Sequence, residues 1–171
     1  MYYPHKPRTS QSFLLSSMAA DLSPTGLRRS RLRAELQLIA ARYGAAECDQ
    51  TDATWVHVPH FPLPRGWSKH EVEILVDIPY SHPGYPSVAP EWFWTDKDLR
   101  SNDGRSINHF FTEGSASYVD RQYLDKGWGH FCVHVPGWRA AGGLRMREGH
   151  TLVSYLDLIA TIFRDRTTLS R

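Results

Sequence analysis

Two cysteines in 171 residues, Cys48 and Cys132, are too few for a disulfide-rich scaffold, and they lack the paired Cys-x-x-Cys spacing of a structural zinc site. No apolar run approaches the ~18 residues that cross a bilayer, which excludes a membrane-spanning helix. Charge of one sign is also missing. Against 20 basic side chains stand 18 acidic ones, a formal +2 that makes no electrostatic case for nucleic acid or an anionic membrane as partner. There is no GxGxxG, no P-loop and no GxSxG, and His70-Glu71 lacks the second histidine of HExxH. What remains, 41% hydrophobic and 22% charged, fits one globular domain with two thiols, expected in the cytoplasm.

The expected division is a flexible leader over residues 1–22, a folded domain over 23–166 and a short tail over 167–171. Within the leader, MYYPHKPR followed by SFLLSSMAA resembles a charged segment before an apolar one, but Ser16 and Ser17 interrupt the apolar run, which is short for a secretory signal. Met18 is an alternative start.

Periodicity first becomes strong from Gly26 to Tyr43, where Leu32, Leu36, Ile39, Ala40 and Tyr43 share one face of an amphipathic helix. Ser23-Pro24 suits its N-cap and first turn, and Gly44 its stop. Arg28, Arg29, Arg31 and Arg33 make its first half basic, either as a solvated face or as a docking surface for an acidic partner. Three strands follow. Thr54–Val58 is ended by a proline-studded link, and Val72, Ile74, Val76 and Ile78 alternate with Glu71, Glu73, Leu75 and Asp77, as in an antiparallel sheet with one covered face. Glu91–Thr95 is the third, aromatic strand. Residues 96–127 show no sustained period and read as a long, functional loop. An amphipathic helix from about Thr151 to Arg164 closes the domain, which is α+β.

The chemistry concentrates between Gly129 and Val135. If this stretch is extended, His130, Cys132 and His134 point to one side, and a thiol flanked by imidazoles is in a setting that can favour the thiolate. Three explanations compete: an inert buried thiol, a zinc site needing a further ligand such as His150, and a nucleophilic or carrier thiol. Cys48, within Glu47-Cys48-Asp49, reads as incidental, because neighbouring carboxylates disfavour its thiolate.

These residues in this order resemble the ubiquitin-conjugating (E2) fold, and in particular the divergent prokaryotic E2 families. Ile78-Pro79, Tyr85-Pro86 and Pro90 resemble the segment in which an apolar strand runs into a Tyr-Pro turn and a further proline, with Phe93 as the aromatic of the next strand. Gly129-His130-Phe131-Cys132-Val133 is similar to the element that carries the family's active cysteine, and Trp138 to the tryptophan that follows it. The resemblance spans roughly Leu27 to Phe163 and implies a UBC-like fold: an N-terminal helix, an antiparallel meander, a long active-site loop carrying the cysteine and a C-terminal helix. It departs from the common pattern at Leu124, where the Asn of a His-Pro-Asn triplet would steady the oxyanion. Nothing in the sequence says whether Asn108 and His109 fold back to the site instead.

The resemblance implies a carrier that accepts a ubiquitin-like protein from an E1-like enzyme as a thioester on Cys132 and passes it to an amine on a target protein. No cofactor or metal enters that chemistry. His134 is the first candidate for the proton-transfer group and His130 the second, as a thiolate-stabilising neighbour. Arg28, Arg29, Arg31 and Arg33 would face the E1-like partner. The alternative is a catalytically silent module that binds the ubiquitin-like protein or the E1-like enzyme without bonding to it. E1-like, ubiquitin-like and metalloprotease-like genes beside this one would indicate a conjugation operon, of the kind used in antiviral defence.

Overall fold

The computed structural model describes residues 21–114, 121–141, 144–165 and Thr167; the expected leader and tail lie almost wholly outside them. Helix α1 (Pro24–Tyr43) starts and stops on the signals in its sequence. The Ser23 side chain accepts the Gly26 N–H at 3.0 Å, Pro24 sits in the first turn, and Gly44 follows at φ 88°, a left-handed conformation that glycine adopts without steric cost. Then come β1 (Glu47–Cys48), β2 (Trp55–Pro62), β3 (Glu71–Asp77), β4 (Trp92–Asp96), β5 (Phe110–Phe111), the short helix α2 (Arg121–Asp125), β6 (Trp128–Cys132) and, after one 3₁₀ turn, α3 (Leu152–Arg164). The strands form one antiparallel sheet in the order β1-β2-β3-β4-β6-β5.

The inner face of this sheet is the core. Val56 and Val58 of β2, Val72, Ile74 and Val76 of β3, Phe93 of β4 and Phe131 of β6 meet Leu32 and Ile39 of α1 and Tyr155, Leu156, Ile159 and Phe163 of α3. Phe163 is the hub of the aromatic packing, with its ring 5.3–6.3 Å from those of Phe61, Trp67, Phe93 and Phe131. Removing a ring packed this way costs about 3–5 kcal/mol. A reciprocal capping box between Thr151 and Ser154 starts α3.

Four expectations need correction. β2 runs on through Pro59 to Pro62, with a register shift between Val58 and Phe61. β1 pairs only with Val56 and His57, so beyond them β2 is an edge, where a missing proline N–H costs no ladder bond. The sheet is also partly covered on its outer face, because Leu75, Trp94 and Leu124 form a second buried cluster with Trp55, Phe111, Tyr123 and Trp128. Within 96–127, β5 pairs with β6 and α2 contacts β6, so the described part of this segment is built onto the sheet rather than being a plain loop. Cys132 consequently closes a strand instead of lying within a long loop.

The fourth correction concerns the basic helix. Arg28 and Arg31 are buried. Arg28 donates to the carbonyls of Ala53 (3.1 Å) and Asp52 (2.7 Å), tying α1 to the turn before β2. Arg31 pairs with the buried Glu35 and donates to the Ala141 carbonyl. Arg29 is half-buried and ion-paired to Asp21, and Arg33 alone of the four is exposed. The four arginines therefore do not form a continuous basic docking face.

Candidate active site

Cys132 is placed by hydrogen bonds from both sides. Its own N–H donates to the His109 carbonyl at 3.0 Å, and the next N–H, that of Val133, donates to the Glu91 carbonyl at 2.8 Å. Across the ladder Cys132 is paired with Trp92, and residues paired this way present their side chains on the same face with Cβ atoms about 5 Å apart. Since Phe131 and Val133 point into the core, Cys132 faces outward, half-buried.

The alternation outlasts the strand: His134 is exposed, and its Nε2 lies 3.8 Å from the Cys132 sulfur, within hydrogen-bonding reach of a thiol. His130 is on the same face but buried, its ring 4.8 Å from Trp94 and 5.7 Å from Trp92. Burial pushes its pKa below the ordinary histidine value. A neutral buried imidazole is unsuited to the cationic, thiolate-stabilising part expected of it. The thiol itself shows no depression either: burial first, and then the Glu91 carboxylate, push Cys132 above the ordinary cysteine value. A thiol held this way stays protonated at neutral pH, so its use as a nucleophile calls for a nearby proton acceptor, and His134 is the imidazole in reach.

Two grooves flank the cysteine strand. One, of about 630 Å³, runs between Ser87–Glu91 and His134–Trp138. The other, of about 750 Å³, lies on the outer face of the sheet between Trp55, Tyr80, Glu91, Trp92 and Tyr123. Glu91 stands at the edge of both. Neither Glu91 nor Trp92 is singled out by the sequence; their importance comes from strand register, which no local pattern announces.

The remaining candidates resolve as follows. Leu124, at the usual asparagine position, is buried against the sheet and fastens α2. His109 does fold back, through its main chain, while the Asn108 side chain donates to the Thr167 carbonyl. His150 accepts the Arg139 N–H and stacks on Trp138. Among the described residues no cluster of three His, Cys, Asp or Glu side chains is arranged to hold a metal ion. Cys48 is buried, with its pKa raised by that burial. Among the described residues, no helix is long and apolar enough to cross a membrane.

The two sequence elements that resembled the family touch each other here: the Trp138 indole N–H donates to the Pro86 carbonyl at 2.8 Å, joining the segment after the cysteine to the Tyr-Pro turn. A family model described as prokaryotic E2 family E matches residues 35–153, which takes in both elements, Cys132 and the start of α3. No curated protein and no solved structure matches this chain.

Proposed function

The chain belongs to prokaryotic E2 family E, and on that basis we propose that it carries a ubiquitin-like protein as a thioester on Cys132 and transfers it to an amine of a target protein. Family membership gives the E2-like role and implies E1-like and ubiquitin-like partners. The observation that carries the finer reading is the outward-facing thiol with an exposed imidazole 3.8 Å away.

In this reading the Cys132 thiol gives its proton to His134 as the sulfur attacks the activated C-terminal carbonyl held by the E1-like enzyme; the bond from that carbonyl to the E1-like enzyme's leaving group breaks, and the departing group takes the proton back from His134. The thioester then waits for an amine. As the amine nitrogen attacks, the C–S bond breaks and His134 accepts a proton from the nitrogen. His130 acts as a positioning residue, a neutral ring wedged under the strand end. The E1-like partner consumes ATP, which assigns the reaction to the cytoplasm, and a conjugation operon with a defence role is the setting that suits it.

The test is a non-reducing gel of the chain with ATP, its E1-like enzyme and its ubiquitin-like protein. A thiol-sensitive adduct that disappears in Cys132→Ala is expected. Absence of the adduct would leave a binding module in place of a carrier. His134→Ala should load more slowly and also lose transfer to lysine by about 100-fold, the usual scale of general acid–base catalysis.

A further inference from the structure

The wall that carries His134 is held at its two ends. It runs from His134 to Trp138 along the 630 Å³ groove, through a turn in which Gly137 takes a φ of 71°. At the thiol end the Val133 N–H donates to the Glu91 carbonyl. At the other end the Trp138 ring is held from two sides: its N–H donates to the Pro86 carbonyl at 2.8 Å, and the His150 imidazole stacks on it with ring centroids 5.3 Å and planes 23° apart. His150 also takes both polar main-chain groups of the next residue. Its Nδ1 accepts the Arg139 N–H at 2.9 Å, and its own N–H donates to the Arg139 carbonyl at 2.7 Å. Ala140 and His150 continue the contact as a parallel bridge, which Gly149 allows, because a Cβ there would stand 2.5 Å from the Ala141 nitrogen. His150 is itself anchored. Thr151, next in the chain, caps α3, and the Leu152 N–H donates to the buried Glu35 carboxylate.

Resting on the carrier reading above, we propose that His150 is a positioning residue for acyl transfer: it locks the wall bearing His134 to the start of α3, acting through Trp138 and Arg139 rather than on the reacting atoms. The 3.8 Å between His134 Nε2 and the Cys132 sulfur leaves little margin for a shift of that wall. A misplacement of 1 Å in a reacting pair costs about 100-fold in rate, and a catalytic side chain is precise only when the groups behind it are fixed. The chemistry of the lock is specific to histidine. An Nδ1 that accepts a main-chain N–H keeps its lone pair, so the ring is the neutral tautomer with its proton on Nε2, and one flat side chain supplies both an acceptor and a stacking face. Asparagine offers the acceptor without the face, and phenylalanine the face without the acceptor.

The test needs no native partner. The full chain takes up an acyl group from a Gly-Gly-ended peptide thioester of 2-mercaptoethanesulfonate, followed by intact mass with Cys132→Ala as the blank. The Cys132 sulfur bonds to the carbonyl carbon, the bond from that carbon to 2-mercaptoethanesulfonate breaks, and the thiol proton passes by way of His134 to the departing sulfur. His150→Ala should slow this uptake about tenfold, part of the cost of a full 1 Å misplacement. His150→Asn, whose carbonyl oxygen can stand where Nδ1 does, should return to within about threefold of the parent, and His150→Phe, which keeps only the face, should fall between the two. The decisive measurement repeats His150→Ala in a His134→Ala background, where a residue that acts through His134 should have almost no further effect. Unchanged uptake by His150→Ala, equal slowing with and without His134, or equal rates for the Ala and Asn variants would overturn the positioning role and leave the carrier standing. A chain whose Cys132 takes up no acyl group, or whose His134→Ala variant takes it up as fast as the parent, overturns the reading on which this role rests.

Discussion

The N–H of Cys132 donates to the carbonyl of His109, and His109 reaches that position with a φ of 58°. A left-handed backbone at a residue other than glycine costs about 1–2 kcal/mol, and a β-branched side chain tolerates it least. The cost is borne at the point where the chain turns into β5 to flank the thiol strand. His109→Val should destabilise the fold by about 1–2 kcal/mol, whereas His109→Gly, relieved of the clash but looser when unfolded, should stay within about 0.5 kcal/mol of the parent. Urea midpoints of the three proteins check this. Equal midpoints for the valine and glycine variants would sink it.

The buried and exposed arginines of α1 should separate in the same kind of experiment. Arg28 is committed to the Ala53 and Asp52 carbonyls, and truncating it leaves two acceptors without their charged donor. Arg28→Ala should cost about 2 kcal/mol, and Arg33→Ala, at an exposed position, less than about 0.5 kcal/mol. If the two variants melt together, α1 does not present Arg28 inward as described.

How far the sequence could be read follows from which interactions are local. The caps at Ser23 and Thr151, the stop at Gly44 and the apolar alternation of β3 depend on neighbours in sequence, and all but the Thr151 box were legible there. Arg31 and Glu35 were not. A helical charge pair one turn apart looks like a solvated face, and its burial depends on Tyr85, Ala141 and Leu152, between 50 and 117 residues away from their partners. The same is true of the site. The alternation of His130, Cys132 and His134 was visible, but which imidazole is buried depends on Trp92 and Trp94 of another strand. Glu91, Trp92 and the groove they border emerge only from register.

That long-range polar centre gives the largest stability effect expected. Glu35 is fully buried, receives the Tyr85 hydroxyl at 2.7 Å and the Leu152 N–H at 2.6 Å, and pairs with Arg31. Its carboxylate thus joins α1, the Tyr-Pro turn and the first turn of α3, where an acceptor satisfies a helix N–H that has no partner within the helix. Removing one member of such a buried pair strands the other's charge, at about 3–5 kcal/mol. Glu35→Ala should therefore lose that much by denaturant titration, and the effect should reach the site through Tyr85, whose ring lies 6.3 Å from that of Trp138. Arg31→Met with Glu35→Leu should recover part of the loss, since no charge is then left buried. Equal losses in the single and double variants would contradict this account.

The thiols offer a readout of the site that needs no partner protein. Cys132 is half-buried and Cys48 buried, so iodoacetamide should modify Cys132 first and Cys48 only when the fold opens. The pH dependence has a definite sign. Alkylation follows the thiolate, and burial first, then Glu91, hold the Cys132 pKa above the ordinary cysteine value, so the rate should still be climbing at pH values where an unperturbed thiol has levelled off. Glu91→Gln removes a negative charge that disfavours the thiolate. Its profile should shift to lower pH, with faster alkylation near neutrality, yet remain above that of a free thiol because the larger cause, burial, is untouched. A profile that moves upward, or not at all, would remove Glu91 from the electrostatics of Cys132.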